Sequence, residues 1–292
     1  MSISIGIARS ALEFARRGYF NNMDNVMDMG AQSLHVEKND FLKITKSYGY
    51  QPDLNNFPLI DNFQKKNYLN TESSKPFWKM LGFKNTDCLD IIDKYNAKIV
   101  NLNEPLKDKS LFNSYDLVTD FGNNEHPFNT AEAYRTMHRM CKKNGLMWTC
   151  QALYGNNGFY NYDVSFFESI AAANQYVIVN SYLTCWTEKD QDCLRLPLSL
   201  SLINCLDLHK ADIGISYLFR KTSDNDFSFP MQHQIKSGND WENGDTFFTP
   251  VMMPETTDLG ITPSRVYVPT KISNHQALKK LLSTIRKKIF KR

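Results

Sequence analysis

The chain has 292 residues, 42% of them hydrophobic and 13% aromatic, enough for one large core or for an ordinary domain with appendages. Its net charge of +3 is unevenly spread, because residues 271–292 hold eight Lys or Arg and no acid, leaving 3 − 8 = −5 for the remainder. A mildly acidic body argues against nucleic-acid binding; no apolar run nears the ~20 residues of a membrane-spanning helix, and the opening MSISIGIARS lacks a secretion leader, so a cytoplasmic protein is expected.

In chain order, residues 8–20 (ARSALEFARRGYF) place Ala11, Leu12, Ala15 and Phe20 at helical spacing before an Asn-rich turn. VMDMG follows as a short strand closed by Asp28 and Gly30. Residues 36–75 are polar and aromatic-rich with weak signals, and read as an insertion with one short helix. SSKPFWKMLGF has serines to cap a helix, Pro76 near its first turn and Gly82 at its end. TDCLDII, AKIVNLNEP and YDLVTDFG then read as strands, TAEAYRTMHRMCKKNG as a helix ending at Gly145, and LMWTCQALYG as a strand. DVSFFESIAAAN is a helix, QYVIVNSYL a strand, and ADIGISYLFRKT a last strand that runs into a polar segment, with space for a further helix over 183–206.

Strand and helix signals alternate from residue 26 to residue 180, the pattern of a mostly parallel sheet covered by helices. In such a sheet the ligand lies beyond the carboxyl ends of the strands. The residues that close the strands are Asp28-Met-Gly30, Asp90, Asn101-Leu-Asn103 and Asp120-Phe-Gly122. Glycine permits a sharp turn and close approach of backbone to a ligand, a carboxylate suits ribose hydroxyls, and an asparagine suits an adenine edge. Each of these residues is also an ordinary turn former.

Six cysteines (Cys88, Cys141, Cys150, Cys185, Cys193, Cys205) form no CxxC pair, and six dispersed histidines form no HExxH, so neither a metal site nor a disulfide framework is expected. The YGNNGFYN loop lacks the Lys-Ser/Thr ending of a P-loop, and the first loop lacks GxGxxG, which argues against nucleotide hydrolysis and nicotinamide chemistry.

Taken in order, VMDMGAQ, LGFKNTDCLDI, IVNLNEPL, FNSYDLVTDFGNNEHPFN, KKNGLMWTCQ, GFYNYDVSFFESIAAANQY and ADIGISYLFRKTSDNDFSFPMQ resemble the class I S-adenosylmethionine-dependent methyltransferases, and within them a divergent bacterial and phage branch, over about residues 20–235. The resemblance implies a Rossmann-like, doubly wound α/β fold. Its mostly parallel sheet would have seven strands in the order 3-2-1-4-5-7-6, the last one antiparallel. It implies S-adenosylmethionine as cofactor, with Asp28 and Gly30 toward its methionine part, Asp90 at the ribose, Asn101 and Leu102 beside adenine, and Asp120 with Gly122 near the sulfonium. Gln32 stands in the cofactor loop where the family has its second glycine, and Asn101 where the family often has an acid.

Methyl transfer to a hydroxyl is assisted by removing its proton, a task that suits a histidine oriented by a carboxylate. Glu125-His126, just after the Asn-Asn turn, supplies that pair, with His126 as base; the same histidine, followed by Pro127, would equally serve to fix the loop. Tyr160 is expected to line the acceptor pocket or to pack under the next helix. Two readings result: a methyltransferase acting on oxygen of a small-molecule or glycan acceptor, and a catalytically silent protein of the same fold. Domains are expected at 1–235, with the insertion at about 36–75, then an extension at 236–270 and a basic amphipathic tail at 271–292. Leu278, Leu281, Leu282, Ile285 and Ile289 line one face of that tail amid its basic residues, a pattern suited either to docking on the body or to peripheral contact with the inner face of an anionic membrane.

Overall fold

The computed structural model describes residues 2–59, 68–154, 158–186, 193–198, 203 and 213–231. The extension, the basic tail and part of the 36–75 insertion lie outside the described residues. The chain divides into two compact units, Met1–Thr149 with Arg220–Phe227, and Cys150–Phe219 with Ser228–Arg292.

In the first unit, helix α1 (Ile5–Arg16) starts earlier than its apolar spacing suggests, because Ser4 caps it by accepting from the Ile7 amide at 3.4 Å. It stops before Phe20, where Gly18 takes φ +79°. Strand β1 (Ser2–Ile3) pairs in parallel with β3 (Ser33–Glu37), and β3 pairs antiparallel with β4 (Tyr68–Asn70). Helix α2 (Lys38–Ser47) follows β3 directly, capped by Glu37, which accepts from the Asp40 amide at 2.7 Å. The insertion is therefore richer than one short helix. Its sequence hides this because β3 and β4 are brief and lie far apart along the chain.

The main sheet of this unit comprises β2 (Asn25–Met29), β5 (Asn85–Asp90), β6 (Lys98–Ile99), β7 (Tyr115–Phe121) and β8 (Cys141–Tyr154), in the order β6-β5-β2-β7-β8. The pairs β2–β5, β2–β7 and β5–β6 are parallel. Helix α3 (Lys75–Met80) leads into β5, and α4 (Thr130–Met140) separates β7 from β8. The sequence pattern carries α4 to Gly145, yet the helix ends at Met140 and Cys141 is extended (φ −72°, ψ 132°). A Cβ on Gly145 would meet the Asp116 carbonyl and Cys141 Sγ at 2.9 Å, so this turn admits only glycine. Buried rings fill the core, with Trp148 against Phe14 and Phe121 (5.0 and 4.8 Å between centroids) and Trp78 against Phe83 (5.8 Å).

Strand β8 continues into the second unit, where the order runs on to β11 (Ile213–Arg220), β9 (Val177–Trp186) and β10 (Cys193–Pro197). Strands β9 and β10 are antiparallel. Helix α5 (Val164–Asn174) is capped by Asp163 and ended by Gln175 in the left-handed region. Its Phe167 stacks on Tyr217 of β11 at 5.1 Å. With β10 set aside and the strands of this sheet numbered along the chain, the order is 3-2-1-4-5-7-6, as the resemblance implies; β10 makes eight strands among the described residues instead of seven. The fold is Rossmann-like, doubly wound and mostly parallel in its first unit. Among the described residues, no helix is long and apolar enough to cross a membrane.

Candidate active site

Because β2, β5, β6 and β7 are parallel neighbours, their carboxyl ends share one side of the sheet. A cleft of about 250 Å³ opens there, lined by Leu89, Asp90 and Ile91 at the end of β5, by Val100 to Asn103 after β6, and by Asn123, His126 and Pro127 after β7. Four residues expected at a ligand site thus meet in one place: Asp90, Asn101, Leu102 and His126.

Asp90 is half-buried, and its carboxylate accepts from the Ala31 amide at 2.9 Å and from the Ile91 and Ile92 amides at 2.7 and 3.4 Å. It pins the first loop to the end of β5. A carboxylate offers about four acceptor sites, so Asp90 keeps capacity for a ligand hydroxyl. Leu89, Ile91, Val100 and Leu102 give the cleft apolar walls. The Asn101 side chain is engaged within its own turn: Oδ1 accepts from the Asn103 amide at 3.1 Å and Nδ2 donates to Glu104 at 3.1 Å.

Asp28 departs from expectation. Its carboxylate is buried and accepts from the Ser74 and Thr119 hydroxyls and from the Trp78 indole at 3.0 Å. The register explains two of these neighbours, since Thr119 lies opposite Asp28 on β7 and Ser74 precedes the helix that carries Trp78. Burial, opposed by the three donors, raises its pKa to about 6. Asp28 therefore ties β2, β7 and α3 together and turns no oxygen to the cleft. Gly30, at φ +81°, makes the turn that leaves β2. Gln32 is fully buried; Nε2 donates to the Met29 carbonyl at 3.1 Å, while Oε1 meets no hydrogen-bond partner among the described residues.

Asp120 also points inward. Oδ1 accepts from the Asn123 and Asn124 amides, both at 3.1 Å, and Oδ2 from the Thr149 hydroxyl at 3.1 Å. Together with Gly122 at φ +73°, this accounts for Asp-Phe-Gly at the end of β7. The carboxylate folds the chain back on itself, and the glycine supplies the left-handed step. The loop so formed carries Glu125, buried, and His126, whose side chain is 42% exposed with Nε2 3.7 Å from Glu125 Oε1. The His126 amide donates to the Asn123 carbonyl at 3.0 Å, so the loop also has its own bracing.

Tyr160 belongs to the second unit, where its ring lies 6.4 Å from both Phe159 and Tyr162. Sequence reasoning missed Ser74, Trp78 and Thr119 as partners of Asp28, and Asn123 as part of the cleft. A buried acid announces a need for donors but not which ones. Asn103 was visible as a strand end.

No family model and no curated protein matches the chain. Among solved structures it is similar to the O-methyltransferase from the trans-AT PKS multienzyme of Brevibacillus brevis in complex with S-adenosyl-L-homocysteine, with 11% identity over 74% of this chain and 72% of that one and a TM-score of 0.38. It is similar also to a SAM dependent methyltransferase from Archaeoglobus fulgidus (11% identity, 74% and 94% covered, TM-score 0.37). A third is a putative sarcosine dimethylglycine methyltransferase from Galdieria sulphuraria (12% identity, 75% and 86% covered, TM-score 0.38).

Proposed function

We propose that this chain is an S-adenosylmethionine-dependent methyltransferase acting on oxygen of a small or sugar-like acceptor. The observation that carries the reading is the strand order 3-2-1-4-5-7-6 with a cleft at the strand ends shared by Asp90, Leu102 and His126. An adenosyl group suits what is present: a carboxylate with spare acceptor capacity for a ribose hydroxyl and apolar walls for a heterocycle.

When bound, the cofactor supplies an electrophilic methyl carbon on a sulfonium. The protein's share of the work is to orient the acceptor and manage its proton. In this reading the His126 ring takes the proton of the acceptor hydroxyl on Nδ1, and Glu125, whose Oε1 lies 3.7 Å from Nε2, orients the ring from its other side. The Asp120-anchored loop keeps both residues at the edge of the cleft.

A second reading, a silent binding protein of this fold, is favoured by one observation. On the methionine side, Asp28 already serves three internal donors. Calorimetric titration with S-adenosylhomocysteine separates the outcomes. Saturable heat with a Kd below about 1 mM (about −4 kcal/mol) supports an adenosyl site, and its absence at millimolar ligand removes the enzyme reading. Transfer of a labelled methyl group to any hydroxylated acceptor then decides for the enzyme.

A further inference from the structure

The outer wall of the cleft has little of its own to stand on. It is the turn 101–104, which follows β6, a strand of two residues at the sheet edge. Strand β6 pairs with β5 only through Leu89–Lys98 and Asp90–Ile99, supplemented by the Val100 amide on the Asp90 carbonyl at 2.9 Å. Strands this short hold position weakly, and an edge position gives them one neighbour instead of two.

The opposite wall is well anchored. Asp120 holds the amides of Asn123 and Asn124, the Thr130 hydroxyl donates to the Asn124 carbonyl at 3.0 Å, and Asn129 caps α4 by accepting from the Glu132 amide at 3.3 Å. Asn103 and Asn129 join the two walls. The Asn129 amide donates to Asn103 Oδ1 at 2.9 Å, and Asn129 Nδ2 donates to the Asn103 carbonyl at 3.2 Å. Asn103 is in turn set by Asn101, whose Oδ1 accepts from its amide at 3.1 Å and from its Nδ2 at 3.3 Å.

We propose that Asn103 is the positioning residue of the cleft: its two bonds from Asn129 fasten the edge turn that carries Leu102 to the loop that carries His126. They hold the two walls at a separation that admits a flat heterocycle. The choice of heterocycle rests on the adenosyl reading above; the clamp itself does not. Two hydrogen bonds at an exposed site are individually modest. They matter here because, beside the burial of Leu102 and Leu106, the wall they secure rests on a two-residue strand, and because Asn129 is itself fixed by capping a helix of eleven residues.

The test uses the full chain and two readouts. In Asn103→Ala the acceptor Oδ1 is lost, and amide hydrogen exchange at Asn129 and across 123–128 is expected to quicken about tenfold relative to the rest of α4. In Asn103→Asp the acceptor remains, so protection should return, although the long bond to Asn101 is lost. Asn129→Ser keeps the helix cap and the backbone donor but removes Nδ2, and is expected to fall between wild type and Asn103→Ala; it also serves if the alanine variant does not fold. Binding of S-adenosylhomocysteine by calorimetry should weaken about five- to twenty-fold in Asn103→Ala and stay within about twofold of wild type in Asn103→Asp. Unchanged exchange in both Asn103→Ala and Asn129→Ser overturns the clamp. Quickened exchange with no binding of the probe by wild type keeps the clamp and defeats the adenosyl reading, so the two failures are distinct.

Discussion

The indole Nε1 of Trp78 donates to the Asp28 carboxylate, 3.0 Å from Oδ2, and so bolts helix α3 to the central strand β2. Two hydroxyls, from Ser74 and Thr119, complete the set of donors. Replacing Asp28 by Ala strands three buried donors at once, each costing about 1–3 kcal/mol when left unpaired. We expect a loss of about 3–5 kcal/mol in Asp28→Ala. Trp78→Phe, which removes one donor and keeps most of the ring volume, should lose about 1–2 kcal/mol. Urea unfolding at constant m-value measures both. Equal losses in the two variants would show that the indole bond alone carries the contribution of the carboxylate and that the two hydroxyls add nothing.

Asp120 and Gly122 make a second pair of expectations. Asp120→Ala frees the amides of Asn123 and Asn124 and the Thr149 hydroxyl. It should cost about 2–4 kcal/mol and speed amide exchange across the loop that bears His126. Gly122→Ala meets nothing closer than Glu125 Oε1 at 3.9 Å, so its penalty is conformational only, from φ +73°. That penalty is about 1 kcal/mol. A Gly122→Ala loss as large as that of Asp120→Ala would contradict the assignment of strain to the backbone alone.

The parallel sheet was legible in the sequence, because strand segments closed by Asp, Asn or Gly alternate with helical ones. The direction of the closing side chains was not. Asp28 and Asp90 close neighbouring strands with the same residue type, yet one carboxylate is sealed beneath α3 while the other borders the cleft. The difference is made by Ser74 and Trp78, more than forty positions further along the chain, which no local pattern connects to Asp28. The short elements escaped for a related reason. Strands β1 and β4 have two and three residues, too few to display a period.

Asp90 is the acid of the cleft on which ligand affinity should depend. Asp90→Ala removes the acceptor proposed for a ligand hydroxyl and also releases the Ala31 amide of the first loop. Hydrogen bonds to a charged acceptor contribute about 1.5–3 kcal/mol, so binding of S-adenosylhomocysteine should weaken by about ten- to a hundred-fold. Asp90→Asn keeps one oxygen and should lose less. Calorimetry on the two variants checks the ranking; an Asp90→Ala protein that binds as tightly as wild type would place the ligand elsewhere.

In the second unit, Glu168 on α5 is buried, with the Tyr217 hydroxyl 3.5 Å from Oε1 and, among the described residues, no partner for Oε2. Burial pushes its pKa from 4.5 up to about 8, so the acid is neutral near pH 7. The folded chain then holds a proton that the unfolded chain has released. Between these two values stability must fall as pH rises, because the native state binds the extra proton. The contribution of Glu168 is therefore fully present below about pH 4.5 and lost as pH climbs through about 8. Glu168→Gln carries no proton to lose. Its stability relative to wild type should be nearly unchanged at pH 4.5 and grow to a gain of at most about 5 kcal/mol above pH 8, at about 1.4 kcal/mol per unit. Urea denaturation of both proteins at pH 5, 7 and 8.5 measures the difference. A gap that does not widen with pH would mean that Glu168 is ionised, and paired, in the native state.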